Sequence, residues 1–226
     1  MAPVWLALPG AKAGMLYESV TGRLHDGNKG VIIVPCAYRR VFLRWGARGT
    51  EGAGFKGELT ADQVAIMRDK GEIKELDNKL YVPMADGSVN EKKSDRVNDT
   101  RNHYCLILAE DGTWTTALLS LTSTQIRKSK LLASMIASRK VRTPAGTVQP
   151  ASWASRVRVT TVPESNDKGN WYGVRFEFDG DLLVPSSDVY KAGREFNQLV
   201  AAGKAQAKYD DLEGDLAHAA PAGEKF

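Results

Sequence analysis

Arginine and aromatic side chains alternate along Tyr38-Arg39-Arg40-Val41-Phe42-Leu43-Arg44-Trp45. Successive side chains of an extended strand point to opposite faces. Tyr38, Arg40, Phe42 and Arg44 therefore share one face, and Arg39, Val41, Leu43 and Trp45 the other. Rings beside guanidinium groups suit a nucleic acid strand, because bases stack on the rings while the cations meet phosphates. A cross-strand salt-bridge face would carry the same pattern. The Gly-rich loop 46–58 that follows presents Arg48, Phe55 and Lys56 beside this strand.

A second segment repeats that division. In 155–162, Arg156, Arg158 and Thr160 oppose Val157 and Val159. In 171–178, Trp171, Gly173 and Arg175 oppose Tyr172, Val174, Phe176 and Phe178. A third concentration of cations, Arg127, Lys128 and Lys130, opens a helix. Positive charge there opposes the helix macrodipole, so fold stability alone supplies no reason for it; a solvated helix face would also carry such residues.

Catalytic and metal chemistry find less support. Gly52-Ala-Gly54-Phe-Lys-Gly57 is a literal GxGxxG, but no strand–turn–helix unit surrounds it and no GK[ST] follows. Asp69, Glu72 and Lys74 match the residue types of metal-dependent nucleases, yet lie in a charge-mixed segment where solvated side chains are the ordinary outcome. With three His and no metal-spaced cluster of Cys or His, we expect no enzyme, no metal and no cofactor.

The elements that must position these residues centre on 104–140. Tyr104 to Ala109 reads as a strand covered on both faces, Asp111-Gly112 as a tight hairpin turn, and Trp114 to Leu121 as the return strand. Thr122 and Gln125 have the spacing of a capping box for the basic helix, whose apolar stripe is Ile126, Ala133, Ile136 and Ala137, flanked by Leu132 and Met135. Val31 to Val34 is a strand interrupted at Pro35, and Leu80 to Val82 before Pro83 reads as a short edge strand. Thr60 to Lys70 can form a short helix, and Asp95 to Thr100 a turn. Residues 142–153 are a turn-rich link, and PESNDKGN a long loop between the strands of the second hairpin. Ser186 can cap a final helix whose core stripe is Val189, Ala192, Phe196, Leu199 and Val200.

The expected fold class is mainly β with two helices (α+β), an OB-like small Greek-key barrel with long loops and a C-terminal helix. The expected organisation is an N-terminal arm over 1–30, one nucleic-acid-binding domain over 31–206, and an acidic flexible tail over 207–226.

Charge is consistent with a polyanion partner. The 226 residues carry a net +4, with a sequence pI near 9.0. Residues 1–206 hold 29 basic against 22 acidic residues, whereas 207–226 hold Asp210, Asp211, Glu213, Asp215 and Glu224 against Lys208 and Lys225. No apolar run reaches the ~18 residues of a membrane span, so no membrane is expected. Met1 to Leu8 is short and lacks the basic start of a secretory signal. Cys36 and Cys105 lie in apolar strand-like runs and read as buried free thiols of a reducing compartment.

Val41-Phe42-Leu43-Arg44-Trp45, Ser120-Leu-Thr-Ser-Thr-Gln-Ile-Arg-Lys-Ser-Lys130 and Thr161-Val-Pro-Glu-Ser-Asn-Asp-Lys-Gly-Asn-Trp171-Tyr-Gly173 together resemble a family of bacteriophage single-stranded DNA-binding proteins of OB-fold type. The resemblance covers roughly 31–206 and implies an OB-type barrel, no catalysis, and protection or annealing of single strands in phage replication and recombination. It carries over to Arg44-Trp45, Gln125 to Lys130 and Asn170-Trp171, and implies the cytoplasm of an infected bacterium. By the same likeness Asp210, Asp211, Glu213, Asp215 and the terminal Phe226 form a tail for replication or recombination proteins, here separated by a neutral AHAAPAG spacer. A homo-oligomer is compatible with all of this. The rival expectation is a phage structural or assembly protein whose aromatic faces are subunit interfaces.

Overall fold

The structure, a computed structural model, describes residues 9–144, 146–167, 169–205, 207 and 209. The strands are β1 (Leu16–Glu18), β2 (Arg23–His25), β3 (Val31–Gly46), β4 (Gly54–Leu59), β5 (Lys74–Leu76), β6 (Lys79–Val82), β7 (Asp95–Leu108), β8 (Trp114–Thr122), β9 (Val141–Thr143), β10 (Gly146–Val148), β11 (Val157–Asn166) and β12 (Gly169–Phe178). The helices are α1 (Ala61–Asp69), α2 (Ile126–Ser138) and α3 (Asp188–Ala201). The fold is mainly β, α+β and barrel-like in class as expected, with three helices among the described residues rather than two.

Contacts group the chain into two units. One contains Arg39–Arg101 and, from the C-terminal segment, Tyr209; its strands run in the order β5-β6-β7-β3, with β4 also on β3. Its core is Phe42, Val64, Ile73 and Val97, with Leu59, Met67, Leu80 and Val82 against it. Helix α1 closes that core because Thr60 caps it: the Thr60 hydroxyl accepts from the Gln63 N–H at 3.2 Å, and the Gln63 side-chain Oε1 from the Thr60 N–H at 2.8 Å.

Three sequence expectations change in this unit. Asp95 to Thr100 is strand, not turn, because its acids are neutralised laterally by cations of β3 and β4. β6 pairs with both β5 and β7 and is no edge strand; it ends at Val82, so Pro83 interrupts no ladder. β3 runs through Pro35, which lies outside the residues that pair with β11 or β4 and so costs no bond to either.

The other unit contains residues 9–38 and 102–205. The β11–β12 hairpin returns to pair antiparallel with β3, Val157 opposite Ile33 and Val159 opposite Val31. Ile33, Cys105, Leu121, Leu132, Val157, Val159 and Phe176 form its larger core. Val34, Cys36 and Leu106 form a second, capped by Val189, Ala192 and Phe196 of α3. Ser187 caps α3, one residue beyond the expected cap, and Leu199 is exposed rather than on its core stripe. Both cysteines are buried free thiols; burial pushes Cys36 up to about 12 and Cys105 up as well, which leaves them unreactive. The first 30 residues contain a short ribbon, β1 with β2, and the expected link after α2 contains another, β9 with β10. The β7–β8 connection spans 109–113 rather than two residues, with Gly112 at φ 83° and its N–H bonded to the Ala109 carbonyl.

Candidate nucleic-acid interface

The face of β3 that was expected to stack bases is closed at Phe42. That ring is 5 % exposed, under Val64 of α1, and Arg40 lies over it with its guanidinium carbon 4.9 Å from the ring centroid. Phe42 is therefore core, which corrects its assignment as a stacking residue: both faces of the strand are covered there, so period-two alternation could not identify a solvent side. Tyr38 is exposed, with its ring 5.2 Å from that of His103.

Arg40 and Arg44 of β3 and Lys56 of β4 are committed to carboxylates. Arg40 meets Asp99 at 2.7 Å, and Arg101 meets the same carboxylate at 3.1 Å. Arg44 and Lys56 share Asp95, at 2.6 and 3.0 Å. Trp45 packs edge-on against Phe55, whose ring in turn meets Tyr209. Arg48 is exposed on the loop that follows β3. This surface is the cross-strand salt-bridge face that the same pattern permits. Asp95→Asn is expected to cost roughly 1–3 kcal/mol in urea unfolding, because one acceptor then serves two cations beside a mostly buried site. An unchanged midpoint would show that the ladder contributes nothing.

The second hairpin keeps its expected faces. Arg158 stands opposite Glu177, Thr160 opposite Arg175, and Glu164 opposite Trp171. Arg158 and Arg156 approach the Asp179 carboxylate at 2.6 and 3.8 Å, and Arg175 meets Glu177 at 2.9 Å. The expected long loop is mostly strand: pairing continues through Ser165 opposite Asn170 and Asn166 opposite Gly169.

Two of the third cation group, Arg127 and Lys128, come together with Trp171; Lys130 is exposed on the same helix outside the cleft lining. Thr124, Arg127, Lys128 and Leu131, around the start of α2, and Glu164, Ser165 and Trp171, on the hairpin, line a cleft of about 590 Å³. Thr122 makes no capping bond. Gln125 turns its side chain instead to the hairpin, where its Oε1 accepts from the Val174 N–H at 3.0 Å. A short 3₁₀ turn, Ser123–Gln125, precedes α2, with Ser123 at φ 51°. The buried stripe of α2 is Ser129 and Leu132, with Met135 and Ile136 against the core, while Ala133 and Ala137 are exposed. Ser129 disguised that stripe in the sequence. It is tolerated inside because its hydroxyl bonds His103 Nε2 at 2.7 Å.

Glu164 lines the cleft and is the residue that sequence reading missed. Its Oε1 lies 2.6 Å from Lys128 Nζ; its Oε2 accepts from Trp171 Nε1 at 2.9 Å and from the Gln125 amide at 3.3 Å. The Lys128 bond, then those from Trp171 and Gln125, hold its carboxyl below the usual glutamate range against the opposing effect of burial. Gly173 leaves the space that it occupies: a Cβ there would collide with the Glu164 carboxylate. In contrast, Arg127 and Lys130 are exposed and make no ion pair or side-chain hydrogen bond among the described residues. No group of His, Cys, Asp or Glu suited to a metal occurs among the described residues. The expected partner-binding residues Asp210, Asp211, Glu213, Asp215 and Phe226 lie outside them.

A family model described as Pam3 phage gp34-like protein matches residues 7–206. No curated protein and no solved structure matches the chain.

Proposed function

The chain belongs to the Pam3 phage gp34-like protein family, and from that premise we propose that it is a non-catalytic phage protein that binds single-stranded DNA, sequence-nonspecifically in the main, through the α2–hairpin cleft. The observation that carries this reading is the meeting of Trp171 with Arg127 and Lys128 in one open cleft, from segments more than 40 residues apart. A base stacks on the Trp171 indole or lies against Leu131, and the adjoining phosphates meet Arg127 of the cleft and then Lys130, exposed on the same helix beyond the cleft lining. The start of α2 adds its own partial positive charge. Replication or recombination proteins are the partners this role implies, in the host cytoplasm where phage DNA is copied. No helix among the described residues is long and apolar enough to cross a membrane.

Fluorescence anisotropy with a labelled thymidine decamer tests the proposal. Arg127→Gln with Lys130→Gln is expected to weaken binding about tenfold or more and to lower the salt slope by between one and two, at ~0.7 per phosphate contact on a single strand. Trp171→Ala is expected to cost about 1–3 kcal/mol of binding with the salt slope unchanged. Wild-type protein that does not bind, or binds with no salt dependence, overturns the reading.

A second reading, a phage assembly protein, draws on the commitment of most strand cations to carboxylates and on the exposure of Tyr172, Phe178 and Val184. It requires large assemblies in the absence of nucleic acid, visible by light scattering.

A further inference from the structure

A cleft meant only for phosphate has no use for a carboxylate in its wall, yet Glu164 lines this one. Glu164 lowers the local positive charge, and it does so by engaging Lys128 while Arg127, the next residue back, stays uncommitted. The cleft thus has two differently built parts. One is cationic and open, at Arg127. The other is a compact ion pair, Lys128 with Glu164, beside the edge of the Trp171 indole, whose Nε1 is bonded to the same carboxylate. A ligand with its phosphate at Arg127 and a ring on Trp171 would bring the polar edge of that ring to the ion pair.

From this juxtaposition the geometry points to Glu164 and Lys128 as a base-reading pair that favours guanine in the Trp171 cleft. The inference rests on the proposed binding of single-stranded DNA there. A carboxylate accepts only, and has about four lone-pair positions for its two oxygens. Three are occupied, Oε1 by Lys128 and Oε2 by Trp171 and Gln125, so a ligand's donors meet Oε1, which has two positions once Lys128 turns to the ligand. The ammonium donates only. Together they match a ring edge that presents donors to the carboxylate and an acceptor to the ammonium. On guanine, N1–H and the N2 amino group stand side by side as donors, and O6 is the acceptor next to them. Adenine and cytosine each offer the carboxylate a single amino group. Thymine offers one imino N–H between two carbonyl oxygens, and the second of these would be set against the carboxylate. Binding guanine exchanges the direct Lys128–Glu164 contact for contacts through the base, so neither charge is left without a partner. Glu164 is held for this role by Gln125 and by the space over Gly173.

The test measures affinity for four labelled decamers of thymidine, one unmodified and three with a single central dG, dA or dC. Guanine repeats, which self-associate, are thereby avoided. A good bidentate contact contributes about 1–3 kcal/mol of discrimination, so wild-type protein is expected to hold the dG decamer at least about fivefold tighter than the unmodified one. Glu164→Gln, which presents a donor as well as an acceptor, is expected to bring the four within about twofold of one another. Lys128→Gln is expected to reduce the preference as well, and thermal unfolding of both variants checks that the fold is kept. Absence of binding by the wild type overturns the proposed function itself. Binding without base preference, or a preference that survives in Glu164→Gln, overturns the base-reading pair alone. Tighter binding of all four decamers by Glu164→Gln, from a wild type that does not discriminate, would reduce Glu164 to an electrostatic brake and overturn the inference equally.

Discussion

Phe42→Ala is expected to lower the unfolding free energy by about 3–5 kcal/mol in urea, a large part of the ~5–15 kcal/mol typical of a folded domain. Phe42 is 5 % exposed and shares a core with Val64, Ile73 and Val97, so truncation removes a buried ring and leaves a cavity between β3 and α1. Phe42→Leu keeps most of the volume and is expected to cost much less. The pair of variants separates two roles that the sequence leaves open. A ring that stacks on bases would, on truncation, weaken DNA binding and spare the urea midpoint. A core ring does the reverse. A midpoint unchanged in Phe42→Ala would mean that α1 does not cover this face in solution, and would return Phe42 to the candidate interface.

The same position shows where the sequence was legible and where it was not. Alternation located the apolar strands and, for the β11–β12 hairpin, the faces: Arg158 and Arg175 stand on the face assigned to them, opposite Glu177 and Thr160. On β3 alternation failed, because it assumes one face in water. The helix that covers Phe42 announces itself only through the Thr60–Gln63 capping box. Asp95 and Asp99 read as turn residues because isolated acids disfavour strands; Arg101 is near Asp99 in sequence, but the cross-strand partners Arg44, Lys56 and Arg40 are 39 to 59 residues away and invisible to any local window. Glu164 was lost in the same way, as one acid in a polar run taken for a loop. Its significance lies entirely in what folding brings to it. The sequence does mark Gln125 to Lys130 and Trp171 as separate chemical features, and the fold supplies their meeting.

His103 carries the second large expectation, a loss of stability in acid. It is 3 % exposed on β7, bonded to Ser129 of α2, which is itself 2 % exposed, and lies beside the Tyr38 ring. Burial disfavours the imidazolium and holds its pKa down at about 4, against an ordinary 6.5. The unfolded chain therefore binds the proton more readily than the folded one between these two values, and stability rises with pH across that window. Above 6.5 the contribution is fully present. It is lost progressively as the pH falls, until near 4 the folded protein is protonated too. The difference amounts to about 3 kcal/mol at 1.36 kcal/mol per pH unit. His103→Gln can keep a hydrogen bond to Ser129 while carrying no titrating group. Urea unfolding of both proteins at pH 7.5, 6 and 4.5 is expected to show the wild type losing more stability than the variant, the gap widening at each step. Subtracting the variant removes the carboxylates common to both, Glu164 among them, whose depressed pKa places its own loss lower, below the usual 4.5. Parallel pH profiles would mean that His103 takes up its proton in place, and that the seam it forms between β7 and α2, under the helix that bears Arg127 and Lys128, opens to water far more readily than its burial implies.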